Sequence, residues 1–164
     1  MDTAEKIIQT KIDNIMLGRV SGWTYGFTKI DDMAGRLEIG QVSTIVGWTG
    51  TGKSYFVLNM ISGIFDEWVG NTREDYVPPN IIVFTTEMDE TAYDLRYICM
   101  KAGIYFKQYQ KYPEQYHDQI QKAKDDFYAN KYVKPNFLQI FEVSSLEQIE
   151  GILNHVAIKP NIVF

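Results

Sequence analysis

The apolar positions of this chain switch between two periods. Ile7, Ile8, Ile12, Ile15 and Met16 return to one face at helical spacing, so residues 3–17 are expected to form an amphipathic helix, begun by Asp2 and Glu5 and ended by Gly18. Val42, Ser43, Thr44, Ile45 and Val46 form a short, largely β-branched run, the pattern of a buried strand. A helical pattern follows from residue 53 to about residue 65. Further strands are expected at 81–84, 137–141 and, just opening, 161–164. Helices are expected at 27–33, 90–102, 113–130 and from Ser144-x-x-Glu147 to about residue 157, where Lys159-Pro160 stops the pattern. Strands alternating with helices predict an α/β fold: a parallel sheet with helices on both faces, preceded by the amphipathic helix.

Composition narrows the class. A chain of 164 residues, 45% apolar and 14% aromatic, has the material for one sizeable core and not the composition of a disordered chain. Its apolar runs are far shorter than a bilayer span, and charges interrupt the apolar positions of the N-terminus, so neither a membrane segment nor an export signal is expected and the compartment is expected to be cytoplasmic. Cys99, the single cysteine, then reads as a small buried apolar residue. A formal charge of −5 argues against a protein that coats DNA. It leaves open a ring-shaped motor that grips a backbone with a few local donors per subunit.

The candidate chemistry lies between the first strand pattern and the helix after it. Gly47, Trp48, Thr49, Gly50, Thr51, Gly52, Lys53 and Ser54 fit the pattern G-x-x-x-x-G-K-S, and Tyr55 follows. Glycines let successive N–H groups turn inward as an anion nest at a helix N-terminus. Lys53 is placed to reach the β- and γ-phosphates of ATP, and the Ser54 hydroxyl to ligate Mg²⁺. The bland alternative is a glycine-rich turn with an exposed lysine.

Other residues read less sharply from pattern alone. Glu87 follows the strand at 81–84, where a carboxylate either orients a water beside a γ-phosphate or is merely solvated or a helix cap. Arg96 is equally open, since an arginine on a charged helix usually forms surface pairs. His117 and His155 have no metal-ligand partner at suitable spacing and read as structural. The tyrosines from Tyr105 to Tyr132 either stack on bases or, more in keeping with their density, cover the sheet or a subunit contact.

Three segments in order, GWTYGFTKIDDMAGRLEIG, GWTGTGKSYFVLNM and VFTTEMDETAYDLR, resemble the C-terminal motor domain of DnaB-like replicative DNA helicases, members of the RecA-like ATPase superfamily. The resemblance runs over about residues 5 to 164 and implies a linker helix at 1–18 followed by the N-terminal part of a RecA-like P-loop ATPase domain at 19–164. By it, Lys53 and Ser54 serve phosphate and Mg²⁺, Glu87 becomes the catalytic glutamate of the family's "EM" motif, and Arg96 matches an arginine of the following helix. It implies ATP hydrolysis coupled to translocation on single-stranded DNA and duplex unwinding, in a homo-oligomeric, hexameric ring where the linker helix packs on the adjacent subunit. In the family the strand opening at Asn161 continues to the Walker B aspartate. The fold is therefore expected to be incomplete at its C-terminal end, single-stranded DNA to be held by regions beyond Phe164, and a second polypeptide is one source of the remainder. Two other readings stand beside it: a non-catalytic nucleotide-binding or interaction module ending at Phe164, and a recombinase-like or clock-like RecA relative.

Overall fold

A computed structural model describes residues 3–16, 22–38, 40–70, 79–133 and 137–164. They fall into two compact units, Met1–Asn71 and Thr72–Phe164.

The first unit contains helices α1 (Thr3–Met16), α2 (Thr28–Ala34) and α3 (Lys53–Gly70). α1 forms where the periodicity places it, but Ile7, Ile8, Ile12 and Met16 of its apolar stripe are all exposed, and Lys11 pairs with Glu38 at 2.9 Å. The capping residue Asp2 and the stop at Gly18 lie outside the described residues. The segment leading to the glycine loop is closed by an antiparallel bridge between Trp23 and Leu37, with α2 between them. Asp31 of α2 accepts from the Thr24 hydroxyl and from the Tyr25 N–H, which satisfies polar groups of a turn that has no ladder.

This hairpin-like segment is tied to α3 by charge and by close backbone approach. The Arg36 guanidinium grips both carboxylate oxygens of Glu67, one at 2.6 Å, and the Thr24 N–H donates to the same carboxylate at 3.1 Å. Gly26, at φ +77°, lies against the α3 backbone, where an added Cβ would come within 2.7 Å of the Asn59 carbonyl oxygen. One turn earlier on α3, Phe56 stacks on Phe27 with ring centroids 4.8 Å apart.

The strand expected at 42–46 is not formed. Residues 41–48 carry no regular structure, and Val42 and Val46 are 94% and 89% exposed. β-branched residues favour extended backbone, but a strand also needs a partner for its ladder. Among the described residues of this unit the only bridge is Trp23–Leu37. The helix after the loop does form, and it runs to Gly70 rather than to residue 65, burying Leu58, Met60, Ile61 and Ile64.

The second unit is α/β. Strands β1 (Ile81–Thr85), β2 (Leu138–Glu142) and β3 (Ile162–Val163) form a parallel sheet in the order β2-β1-β3. Ile81 stands opposite Leu138 on one side and Ile162 on the other. Ile81, Ile82 and Val83 are all buried, so the central strand is covered on both faces, as its unbroken apolar run predicts. Asn80 ties the strand starts together. Its N–H donates to the Asn161 side chain at 2.7 Å, and its amide group donates to the carbonyls of Ile158 and Lys159.

Between β1 and β2 the chain forms α4 (Glu90–Lys101), α5 (Phe106–Lys111), a 3₁₀ turn at Pro113–Tyr116 and α6 (His117–Val133). The helix expected from residue 113 thus begins later, because Pro113–Tyr116 takes the tighter turn first. α5 has no counterpart among the expected elements. Ile98, Cys99, Ile104 and Ile120 make a second core, against which Tyr109, Tyr116, Phe127 and Tyr128 pack. After β2 comes α7 (Leu146–His155), capped one residue later than expected: the Ser145 hydroxyl accepts from the Gln148 N–H, while the Gln148 side chain accepts from the Ser144 N–H at 2.7 Å.

Candidate functional site

The glycine loop owes its shape to a few local bonds. Trp48 to Thr51 form a turn in which the Thr51 N–H donates to the Trp48 carbonyl at 3.2 Å, and Gly50 at its third position has φ 82°, the sign a type II turn requires there. The Thr51 hydroxyl reinforces it, donating to the same carbonyl at 2.7 Å. Gly52, at φ 94°, then turns the chain into α3, and its carbonyl accepts the helix's first bond from the Phe56 N–H at 2.9 Å. A Cβ at Gly47 would stand 2.7 Å from the Thr51 hydroxyl, so a side chain there would force Thr51 to move.

Lys53 folds back over this loop. Its Nζ donates to the carbonyls of Gly47 at 2.8 Å and Trp48 at 3.0 Å, so the loop's own backbone holds the ammonium. Ser54 and Tyr55, both half-buried, occupy the first turn of α3. The first amides of a helix have no intrahelical acceptor, and Gly52 at the cap position offers no side-chain oxygen to take them. Donors and positive charge therefore converge where the loop meets the helix. Trp48 projects its indole into solvent, 87% exposed.

These residues fit a polyphosphate and its metal: a lysine on a glycine turn, a hydroxyl in the first helical turn, and free amides beside both. The part played by Thr51 was missed in the sequence pattern, where its position is an open one. A hydroxyl three residues after the carbonyl it ties is the signal that would have found it.

Glu87 lies beyond β1 in the second unit, and Lys53 and Ser54 lie in the first. Glu87 is exposed, and its N–H donates to the Thr85 hydroxyl at 3.3 Å. It does not cap the next helix. Asp89 does, accepting from the Ala92 N–H at 2.7 Å, so the Glu87 carboxylate is left available for other work. Arg96 lies over the Phe106 ring, 5.1 Å from its centroid, and its buried Nε has no hydrogen-bond partner.

The remaining candidates are placed plainly. Cys99 is fully buried, and burial pushes its thiol pKa up. His117 begins α6 and is exposed, and His155 ends α7 with its Nδ1 2.7 Å from the Gly151 carbonyl. No cluster of histidine, cysteine or carboxylate residues suited to a metal ion occurs among the described residues, and no helix there is long and apolar enough to cross a membrane. Compared with known proteins, the chain matches no family model and no curated protein.

Proposed function

We propose that the loop from Gly47 to Ser54 binds the phosphates of ATP with Mg²⁺, and that the chain is the ATP-binding portion of a DnaB-like replicative helicase with a RecA-like core. One observation carries the reading: two glycines at positive φ lead the loop into a helix N-terminus that has no side-chain cap, and the Lys53 ammonium bonds to the carbonyls of that loop. On binding, Lys53 exchanges its two carbonyl acceptors for phosphate oxygens, and the first-turn amides of α3 gain the acceptors they lack. Ser54 would hold Mg²⁺, which neutralises phosphate charge when bound. Glu87, not spent on a helix cap, would orient the attacking water and take its proton. The same reading carries a cytoplasmic hexameric ring with single-stranded DNA as its track, in which the exposed stripe Ile7, Ile8 and Ile12 of α1 rests on the adjacent subunit.

Titration calorimetry with Mg-ATP on the full chain tests this. Wild type is expected to bind, and Lys53→Ala to weaken binding roughly tenfold to a hundredfold, the loss expected when a charge-assisted contact to phosphate is removed. Equal affinity in the two proteins, or none in wild type, would overturn the proposal.

A second reading is favoured by the exposed segment 41–46, which forms no strand, because a phosphate loop without a strand beneath it is less rigidly held for catalysis. In that reading the chain binds nucleotide without turning it over. Phosphate release measured with and without single-stranded DNA separates the two: turnover abolished by Lys53→Ala supports the motor, and binding without turnover supports the module.

A further inference from the structure

Three consecutive residues of the segment before the glycine loop touch the chain on both sides of that loop. The Tyr25 hydroxyl is hydrogen-bonded to the Ser43 hydroxyl, 3.0 Å away and four residues before Gly47. Gly26 lies on the α3 backbone, where a Cβ would meet the Asn59 carbonyl oxygen at 2.7 Å. Phe27 stacks on Phe56, two residues after Ser54, with the two rings 8° from parallel.

These three residues are themselves fixed in place. The Tyr25 N–H donates to the Asp31 carboxylate at 2.7 Å, and the Gly26 N–H donates to the Thr24 hydroxyl at 2.8 Å. Arg36 and the Thr24 N–H both bond to Glu67 of α3, so the whole segment is attached to the helix that follows the loop. From that attachment Tyr25 bonds to the chain that precedes the loop. The Cα atoms of Tyr25 and Phe27 are at most about 7 Å apart, the span of two residues of extended chain. Anchors this close tie together the two ends of the stretch 43–56, whose first residues form no strand.

We infer that Tyr25 is a positioning residue for the phosphate site: by tying Ser43 to a segment fixed on α3, it holds the loop at both ends and pre-organises Gly47–Ser54 for the anion. The inference rests on the reading of that loop as a nucleotide site, and it adds the group that steadies the loop where no strand does. Tyr25 acts through Ser43 and not on the phosphates. A loop whose ends are already held loses less freedom when it closes on a ligand, so part of the ordering cost is removed before binding. Ser43 is exposed and Tyr25 half-buried, and loss of the bond between their hydroxyls frees the loop without opening a cavity in the core.

Two measurements on the full chain test it: titration calorimetry with Mg-ATP, and hydrogen exchange of the ligand-free protein read by mass spectrometry over the peptide covering 43–56. Tyr25→Phe removes one oxygen and keeps the ring. It is expected to weaken Mg-ATP binding about twofold to tenfold, the range for one hydrogen bond, and to speed exchange over 43–56 while the rest of α3 exchanges as in wild type. Ser43→Ala should do the same, and the two changes together should lose no more than either alone, because both remove one and the same bond. Ser43→Thr keeps the hydroxyl and should bind as wild type does. Urea midpoints of all these variants should match wild type, which separates positioning of the loop from loss of the fold. A wild type that binds no Mg-ATP overturns the nucleotide reading and this inference with it. A wild type that binds, with Tyr25→Phe equal to it in affinity or in exchange, overturns the inference alone and leaves the nucleotide site standing. Additive losses in the double variant would also overturn it, since the two hydroxyls would then act separately.

Discussion

Gly63 of α3 faces Gly26 of the lead-in segment so closely that a Cβ added at Gly63 would stand 2.4 Å from the Gly26 Cα. The contact is backbone on backbone, so no side-chain rotation relieves it. Gly63→Ala is therefore expected to destabilise the protein by about 1–3 kcal/mol, the range for overpacking a close contact. The gain in helix propensity from glycine to alanine, about 1 kcal/mol, offsets only part of a clash this severe. Urea denaturation followed by circular dichroism measures the balance, and a variant as stable as wild type would mean that the two segments separate at little cost.

Arg36 and Glu67 hold the same two segments together from the other side. Their side chains are 20% and 25% exposed, so the pair lies between a surface bridge and a buried one. A double-mutant cycle with Arg36→Ala and Glu67→Ala is expected to give a coupling energy of about 1–2 kcal/mol, above the usual surface value and below the cost of orphaning a fully buried charge. Glu67→Ala should cost more than Arg36→Ala. Glu67 also accepts from the Thr24 N–H, and its loss strips that backbone group of its partner.

The elements legible in the sequence were those whose pattern is settled locally or by an all-apolar run. The strand at β1 reads from Ile81, Ile82 and Val83 because a central parallel strand is apolar on both faces, and the start of α4 follows the Asp89 cap. The segment Val42 to Val46 shows the limit. Its residues specify an extended backbone, but pairing depends on a strand far away in sequence, and no five-residue window encodes that. α5 escaped because six residues are too few to display a helical period. Of the candidate site, the glycine pattern gave Lys53 its place at the loop, while the turn held by Thr51 and the fold-back of Lys53 onto Gly47 emerge only from geometry.

Buried acids give the fold an alkaline limit. Burial raises the pKa of the Cys99 thiol above its ordinary 9.0 and that of the Tyr93 hydroxyl far above its ordinary 10.0. Both groups stay protonated in the native state at pH values where the unfolded chain releases their protons. The unfolded state then binds fewer protons than the native one, and stability falls as pH rises. These two groups should begin to lower stability past about pH 9 and lower it more steeply past about pH 10. Urea midpoints measured from pH 7 to pH 11 trace the curve. Cys99→Ala should flatten its first part and Tyr93→Phe its second, whatever each does to stability at neutral pH.

Asp89 and Glu87 stand two residues apart at the end of β1, and the structure gives only one of them a structural task. The Asp89 carboxylate caps α4 through the Ala92 N–H, so Asp89→Ala should cost about 1 kcal/mol of stability. Glu87 is exposed and contributes its backbone N–H, not its carboxylate, to the local turn, so Glu87→Gln should leave the urea midpoint within about 0.5 kcal/mol of wild type. The proposed role in activating water requires the opposite ranking for turnover. Glu87→Gln should abolish phosphate release while leaving Mg-ATP affinity near the wild-type value, because a general base acts on the water and not on the bound phosphates. Asp89→Ala should retain turnover wherever it remains folded. A Glu87→Gln protein that releases phosphate at the wild-type rate would remove Glu87 from the mechanism and leave the glycine loop as a nucleotide site alone.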